Sequence, residues 1–144
     1  MDGSRIRIAV VFFCHDGKGN YLLNKRSQKC RDERGMWDPG GGGVEFGETL
    51  TEAVIREVGE EYGAAPKEIE FMGYRDVLRT QEGKQTHWIS HDFRVLVDPS
   101  EVKNGEPEKC DALMWTTVPE LETFPEPLHS QFPKFLEQHR HKLV

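Results

Sequence analysis

A helix-forming segment that follows a run of glycines places the strongest constraint on how this chain can fold. The glycines at positions 40–43 are disfavoured in helices and central strands, and they let the backbone approach another group closely. From about Thr49 to Tyr62 the residues favour an α-helix, and Gly63 follows at the position usual for a C-terminal cap. We therefore predict a close-packed glycine segment that leads into a helix.

The predicted helix carries three acidic side chains on one face. Glu57, Glu60 and Glu61 are spaced i, i+3 and i+4, so their carboxylates share one patch. Like charges at this spacing cost roughly 0.2–0.5 kcal/mol per pair, unless a counter-ion lies between them. Mg²⁺ prefers oxygen ligands of this kind, so the patch is a candidate metal site. Arg56 stands four residues before Glu60 and can form an ion pair with it.

Residues 42–64 resemble the Nudix box, the motif GX5EX7REUXEEXGU. Every position agrees except Ala64, where the family has a bulky aliphatic residue that packs rather than reacts. The preceding Pro39, Gly40 and Gly41 are similar to the Pro-Gly-Gly sequence that leads into the box in the family. The resemblance implies one Nudix domain over residues 1–144, with an α/β (α+β) fold. Its mixed, mostly antiparallel sheet would lie between helices as an αβα sandwich.

The resemblance also implies a metal site and its ligands. Glu57, Glu60 and Glu61 would bind Mg²⁺, with Mn²⁺ as a substitute, together with the backbone carbonyl of Gly41 or Gly42. Metal ions at such a site neutralise phosphate charge and lower the pKa of an attacking water.

The catalytic residues implied by the resemblance are Arg56, Glu57, Glu60 and Glu108. In the family the arginine of the box holds a catalytic carboxylate in place. The general base is a glutamate of the box in some relatives and a loop glutamate in others, so Glu57 and Glu108 both remain candidates. Glu108 can equally be a solvated loop residue.

Candidates for substrate binding are less specific. Residues 26–34 form the only dense basic stretch near the box in sequence, and Arg26 could steer anionic substrates. Pairing with Asp32 or Glu33 could instead absorb part of this charge. The backbone of Gly41 could contact phosphate, and Trp37 could stack on a base, although an aromatic residue in a strand more often belongs to the core.

The implied activity is hydrolysis of a nucleoside diphosphate linked to another moiety. We expect a nucleoside triphosphate to be cut to a monophosphate and pyrophosphate, as in the small MutT-type pyrophosphatases. A second possibility is another diphosphate, because residues 22–27 and Trp37-Asp38 resemble the segment before the box in prenyl (isopentenyl) diphosphate isomerases. Nucleotide sugars and coenzyme A are further candidates. The third possibility is a non-catalytic nucleotide-sensing module. Such modules lose carboxylates of the box, whereas this chain keeps them.

Charge and composition limit the partners and the location. The net charge of −6 argues against polymeric nucleic acid, and no stretch approaches about 18 apolar residues, which argues against a membrane span. Three widely spaced cysteines fit reduced thiols, so we predict a cytoplasmic protein. A homodimer is frequent in the family. His139 and His141 lie in a polar tail and are expected to be solvated rather than metal-bound.

Further elements follow from hydrophobic patterning. Residues 6–13 and 21–23 form a hairpin signal, and strands are expected at 69–78, 88–97 and 112–116. Apolar residues at helical spacing predict a second helix at 128–139.

Overall fold

The computed structural model describes residues 5–143 and contains one seven-stranded sheet and three helices. The strands are β1 (Ile6–His15), β2 (Asn20–Arg26), β3 (Trp37–Asp38), β4 (Gly41–Gly43), β5 (Glu68–Gln81), β6 (Lys84–Leu96) and β7 (Cys110–Thr117). The helices are α1 (Leu50–Tyr62), α2 (Val118–Leu121) and α3 (Phe132–His139), and short 3-10 turns lie at Pro99–Glu101 and Arg140–Lys142.

The sheet is mixed and mostly antiparallel, as predicted. Its order is β3-β2-β1-β6-β5, with β4 paired to β1 and β7 paired to β2. Among the pairs of named strands within residues 5–143, only β1–β6 is parallel, and its register joins Ile6 to His87 and His15 to Leu96. The expected hairpin joins β1 to β2 through the pair His15 and Tyr21.

The two faces of the sheet are covered by different helices, which confirms the αβα sandwich. Val10 and Phe12 of β1 pack under α1 in one apolar cluster. Phe13, on the opposite face of the same strand, packs against Phe132 and Phe135 of α3. Because side chains alternate along a strand, β1 contributes to both cores at once.

Helix α1 begins and ends close to the predicted positions. The hydroxyl group of Thr49 accepts a hydrogen bond from the Glu52 N–H, and the Glu52 carboxylate accepts one from the Thr49 N–H, forming a capping box. Gly63 adopts the left-handed conformation, with φ of 66°, and its N–H donates to the Gly59 carbonyl group.

The C-terminal region differs from the prediction in two respects. The last helix begins at Phe132 rather than at residue 128, because residues 127–129 are extended and hydrogen-bonded to Trp37. His139 is not solvated. It is 1% exposed and its Nε2 lies 2.7 Å from Asp92 Oδ2. The short helix α2 was not predicted, although Thr117 and Glu120 form a capping box for it.

Candidate functional site

The glycine strand β4 lies directly against the acidic helix face. Gly42 pairs with Val10 in the sheet, and a Cβ atom placed on Gly42 would overlap the carboxyl group of Glu57. Any larger residue would displace the Glu57 carboxyl group. The predicted close approach of the glycine backbone is thus found, and the group approached is Glu57.

Arg56 holds the acidic groups of the motif together. Its guanidinium donates two hydrogen bonds to Glu48, from Nε to Oε2 at 2.7 Å and from Nη2 to Oε1 at 3.0 Å. Nη1 donates to Glu57 Oε1 at 2.7 Å, while its contact with Glu60 is longer at 3.4 Å. Nη2 also donates to the Gly43 carbonyl group. The expected Arg56–Glu60 pair is therefore the weakest of these contacts, and Glu48 is the main partner.

Glu61 occupies the least favourable position for a negative charge. Its Oε2 atom is out of contact with solvent and has no hydrogen-bond partner within residues 5–143. Burial raises the pKa of Glu61 well above its ordinary value, and the nearby carboxylates of Glu57, Asp38 and Glu106 raise it further. A hydrogen bond with the Glu57 carboxyl group is a further cause of the raised pKa of Glu61.

These groups line a pocket of about 410 Å³. Its acidic residues are Asp38, Glu57, Glu60, Glu61 and Glu106. Its basic residues are Arg26, Lys29, Arg31 and Lys109. Gly41 and Gly42 also contribute to the wall, so the pocket gathers every predicted metal and catalytic residue except Glu108, which is exposed, and Arg56, which contacts two of the acidic residues from beside it.

Glu106 replaces Glu108 at the pocket because of how its loop docks on α1. The Gly105 N–H donates to the Glu61 carbonyl group at 3.0 Å, and a Cβ atom on Gly105 would overlap the Glu60 carbonyl oxygen. Because of this contact, Glu106 lies at the wall of the pocket. The backbone carbonyl of Glu108 instead accepts a hydrogen bond from Ser27 Oγ, and the residue is exposed and does not line the pocket. Gly105, the residue directly before Glu106, was the available sequence signal.

Trp37 is not available for stacking on a base. Its ring is 3% exposed and packs edge-on against Phe124, with ring centroids 5.9 Å apart. It belongs to the apolar cluster under α3 rather than to the pocket wall. The alternative that this aromatic residue is part of the core is the correct one.

The basic loop contributes to the pocket in part. Arg26 is the last residue of β2 and pairs with Asp32 at 2.8 Å and with Asp38 at 3.6 Å. Asp32 therefore absorbs part of the positive charge, as the sequence allowed. Arg34 donates to the Cys30 carbonyl group and does not line the pocket. Lys29 and Arg31 do line it and supply positive charge opposite the carboxylates.

The residues fit a divalent cation by charge and by chemistry. Carboxylates with an unpartnered oxygen at Glu61 Oε2 are the hard oxygen ligands that Mg²⁺ takes. Within residues 5–143, no three His, Cys, Asp or Glu side chains already surround one point that could hold a metal ion. Arg56 holds the Glu57 carboxylate in place, so the carboxyl groups must change rotamer to bind a metal ion.

A second, larger groove of about 690 Å³ continues from the pocket across the α3 face of the sheet. The two cavities share Arg26, Arg31, Asp38, Gly41 and Gly42. Since β4 has no side chains, it forms a low divide between them. A ligand can therefore place one part beside the carboxylates and another part over β1, β5 and β6.

Comparison with known proteins agrees with this arrangement. The NUDIX domain family matches residues 5–139 of this chain. A MutT NUDIX hydrolase from Burkholderia pseudomallei has a similar crystal structure, with a TM-score of 0.80 and 29% identity, over 94% of this chain and 98% of that one. The NUDIX domain of NrtR from Shewanella oneidensis, solved with ADP ribose, shares the fold at a TM-score of 0.73 and 19% identity, over 100% of this chain and 91% of that one.

Two curated relatives match over shorter segments. Nudix hydrolase 3 from Caenorhabditis elegans is 35% identical over 79 residues, which is 54% of this chain and 33% of that protein. An ADP-ribose pyrophosphatase from Methanocaldococcus jannaschii is 40% identical over 89 residues, which is 61% of this chain and 50% of that protein. The matched segments thus span between a third and a half of these relatives.

The fold, the spacing of the motif and the family match define the class. This chain belongs to the Nudix family. No helix within residues 5–143 is long and apolar enough to cross a membrane.

Proposed function

We propose that this protein is a divalent-metal-dependent hydrolase that cleaves the pyrophosphate bond of a nucleoside diphosphate linked to another moiety. The observation that carries the proposal is the carboxyl group of Glu61, which has a buried, unpartnered oxygen beside Glu57 and Glu106. A buried polar atom without a partner is costly, and a cation bound at this carboxyl group would supply one.

Each residue of the site has a distinct part in the proposal. Glu57, Glu60 and Glu61, with the Gly42 carbonyl group, would hold Mg²⁺ or Mn²⁺. The bound cation would neutralise charge on the phosphates and make an attacking water more acidic. Arg56 keeps Glu57 in position through its three-way contact with Glu48, Glu57 and Gly43.

The proton acceptor is a carboxylate of the pocket. Glu57 is fixed by Arg56, whereas Glu106 stands on a loop across from the helix. A general base must come within hydrogen-bond reach of the water once substrate is bound. Glu106 therefore takes the part that the sequence suggested for Glu108, and Glu57 remains the alternative.

Positive charge opposite the carboxylates supports an anionic substrate. Arg31, Lys29 and Lys109 line the same pocket, and no ion pair within residues 5–143 engages any of them. Such cations bind phosphate oxygens that the metal does not contact. A substrate with two or more linked phosphates would bridge the acidic and the basic wall.

A nucleoside triphosphate is the substrate that we favour. It is supported by the near-complete overlap with the MutT NUDIX hydrolase of Burkholderia pseudomallei at 29% identity. ADP-ribose is the second candidate, because a relative named ADP-ribose pyrophosphatase is 40% identical over 61% of this chain. A sensing module is disfavoured because Glu57, Glu60 and Glu61 are all retained.

The test is a substrate screen with Mg²⁺, scored by product mass. It should contain the nucleoside triphosphates, ADP-ribose, nucleotide sugars, dinucleoside polyphosphates, coenzyme A and isopentenyl diphosphate. We expect monophosphate and pyrophosphate from at least one triphosphate, and loss of product after chelation with EDTA. Turnover of ADP-ribose alone would move the assignment to that substrate, and no turnover of any compound would contradict hydrolysis. Light scattering would test the predicted homodimer, and cell fractionation would test the predicted cytoplasmic location.

A further inference from the structure

Helix α1 covers only part of its face of the sheet. Val10 and Phe12 of β1 pack with Phe93 of β6 in the apolar cluster under α1. Side chains two residues apart along a strand stay on the same face, so this face continues past the cluster along β1, β6 and β5. We call this continuation the open face. Its residues are Ile6, Ile8, Phe71, Tyr74, Asp76, Leu78, Thr80, Gln85, His87, Ile89 and His91.

The register of the strands brings the residues of the open face together. Ile6 of β1 is level with His87 of β6, which is level with Leu78 of β5. At the border with the covered part, the ring of Phe71 lies 5.5 Å from the ring of Phe93. The open face is therefore one continuous surface across three strands.

Large apolar side chains dominate the open face. Those of Ile6, Ile8, Phe71, Tyr74 and Leu78 are between 37% and 71% exposed. If a large side chain has about 200 Å² of surface in all, these exposed fractions amount to roughly 500–600 Å². That area is at the upper end of the largest apolar patch on a typical monomer, and such patches mark interaction sites.

Charge on the open face is sparse. Asp76 is the only carboxylate among the residues named for it, and none of them is lysine or arginine, although 31% of the chain is charged. His87 Nε2 lies 3.1 Å from Asp76 Oδ1. Few charges and retained aromatic residues are typical of the centre of a protein–protein interface. An anionic membrane surface would attract a basic face, which this one is not.

We infer that the open face is the surface through which two copies of this chain form a dimer. A two-fold interface brings one surface against itself, so it tolerates little charge of a single sign. The whole chain has a net charge of −6, and the open face has one carboxylate, which stands beside an imidazole. Two copies therefore approach each other with little repulsion at this surface.

The available area suits a dimer. A stable interface takes about 800 Å² from each partner. The apolar side chains supply most of that area, and the polar residues of the open face extend it. Strand β5 is last in the sheet order, so its outer edge is also available to the second copy.

The dimer would leave the proposed active site accessible. Phe71, Tyr74 and Leu78 line neither the acidic pocket nor the larger groove. Pairing through the open face therefore covers neither wall of carboxylates and cations.

The first experiment measures the mass of the wild-type protein by sedimentation. Interfaces of standard size have dissociation constants from micromolar downward, so protein concentrations from about 1 to about 100 µM are suitable. We expect a mass twice the 16.6 kDa of one chain at the upper concentration. A monomer over the whole range would overturn the inference, whatever else binds the open face.

The second experiment locates the interface. Leu78→Asp adds one carboxylate from each copy to the open face and should weaken dimerisation at least about 100-fold. Met114→Asp is the matched control, because Met114 is an exposed apolar residue of β7, outside the open face. It should leave the dimer intact. A dimer that survives Leu78→Asp, or is weakened equally by Met114→Asp, contradicts the location.

Surface labelling tests the same interface without a substitution, in case Leu78→Asp does not fold. The wild type is oxidised by hydroxyl radicals at concentrations below and above the midpoint of dimerisation, and the products are identified by mass spectrometry. Phe71 and Tyr74 should be labelled several-fold less in the dimer, and Met114 should be labelled equally in both states. Equal labelling of Phe71 and Tyr74 would overturn the inference.

The inference does not depend on the proposed function, because mass and surface labelling require no turnover. A dimer with a protected open face that hydrolyses no compound would refute the hydrolase alone. A monomer that hydrolyses a nucleotide would refute the dimer alone.

Discussion

Single carboxylates of the motif have different environments although the sequence presents them as one patch. Glu61 has a buried oxygen with no partner, Glu57 is held by Arg56, and the Glu60 side chain is 49% exposed. Repulsion is therefore concentrated at Glu61 rather than shared equally. This difference leads to a test in which two neighbouring residues receive the same substitution.

Glu61→Gln should stabilise the metal-free protein and weaken metal binding. The amide needs neither the burial of a charge nor the uptake of a proton on folding, and the carboxylates of Glu57, Asp38 and Glu106 do not repel it, so we expect the free energy of unfolding to rise by about 1–3 kcal/mol. Denaturant unfolding in EDTA measures the change in the free energy of unfolding. The rise of Tm with added Mg²⁺, compared between variant and wild type, measures the loss of metal affinity.

Glu60→Gln is the matched control for that experiment. Its exposed side chain has a 3.4 Å contact with Arg56, so the free energy of unfolding should change by less than about 0.5 kcal/mol. Equal effects of the two substitutions would show that the burial of Glu61 has no energetic consequence. A fall in the stability of Glu61→Gln would also contradict the prediction, because it would show that the carboxyl group stabilises the metal-free protein.

Glu106 and Glu108 offer a second matched pair, this time for catalysis. Glu106 lines the pocket and Glu108 is exposed outside it. Glu106→Gln should lower kcat by about 10²-fold, the size of a general acid-base contribution, while Glu108→Gln should stay close to wild type. Steady-state kinetics on the substrate found in the screen provides the measurement. Loss of kcat in Glu108→Gln alone would restore the original sequence-based assignment.

At the scale of elements, glycines decide how closely α1 can be approached. Gly42 brings β4 against Glu57, and Gly105 brings the loop of Glu106 onto the end of the helix. Gly63 adopts a left-handed φ that ends the helix, whereas Gly59 lies inside it with open space around its Cα. The two glycines of the helix therefore respond oppositely to one substitution.

Gly59→Ala should stabilise the protein and Gly63→Ala should destabilise it, each by about 1 kcal/mol. A helix interior favours alanine, and no heavy atom within 4 Å meets a Cβ at position 59. At position 63 the φ of 66° strains any residue with a Cβ, which would also meet the Lys103 side chain. Thermal unfolding of both variants in EDTA compares them, and destabilisation by Gly59→Ala would reveal a need for glycine that the fold does not show.

The whole molecule consists of two apolar layers that share one sheet, so its stability depends on buried groups in both. His15 ends β1, is 4% exposed, and stacks on Tyr21 with ring centroids 5.6 Å apart. Its Nδ1 accepts a hydrogen bond from the Gly17 N–H, which requires an unprotonated nitrogen. Burial, and then the positive charge of Arg94, lower the pKa of His15 from 6.5 to about 4, with Asp16 opposing them.

This shift predicts a loss of stability in acid. The fold favours neutral His15, so its contribution is complete above pH 6.5 and is lost as the pH falls toward 4. Between pH 7 and 4, the free energy of unfolding should fall by about 1–3 kcal/mol more in the wild type than in His15→Gln. The amide oxygen of glutamine can still accept from Gly17. Parallel pH curves for the two proteins would show that His15 does not titrate in this range.

The sequence by itself determined the helix, its caps and the acidic patch, because these follow from contacts between residues close in the chain. Thr49 with Glu52, the spacing of Glu57 and Glu61, and the left-handed Gly63 are all local. The same holds for the individual strands, whose alternation is local, whereas their arrangement in a mixed sheet was an expectation from the family resemblance. Because the motif lies within one segment of the chain, it can be recognised without knowledge of the surrounding structure.

Only the tertiary structure decided which of these groups share a site. Docking of Gly105 on α1 placed Glu106 at the pocket instead of Glu108, and packing against Phe124 removed Trp37 from it. His139 met Asp92, 47 residues away, although its neighbours in sequence are polar. Burial and partner choice depend on contacts between distant segments, and a sequence pattern contains no information on which segments the sheet will bring together.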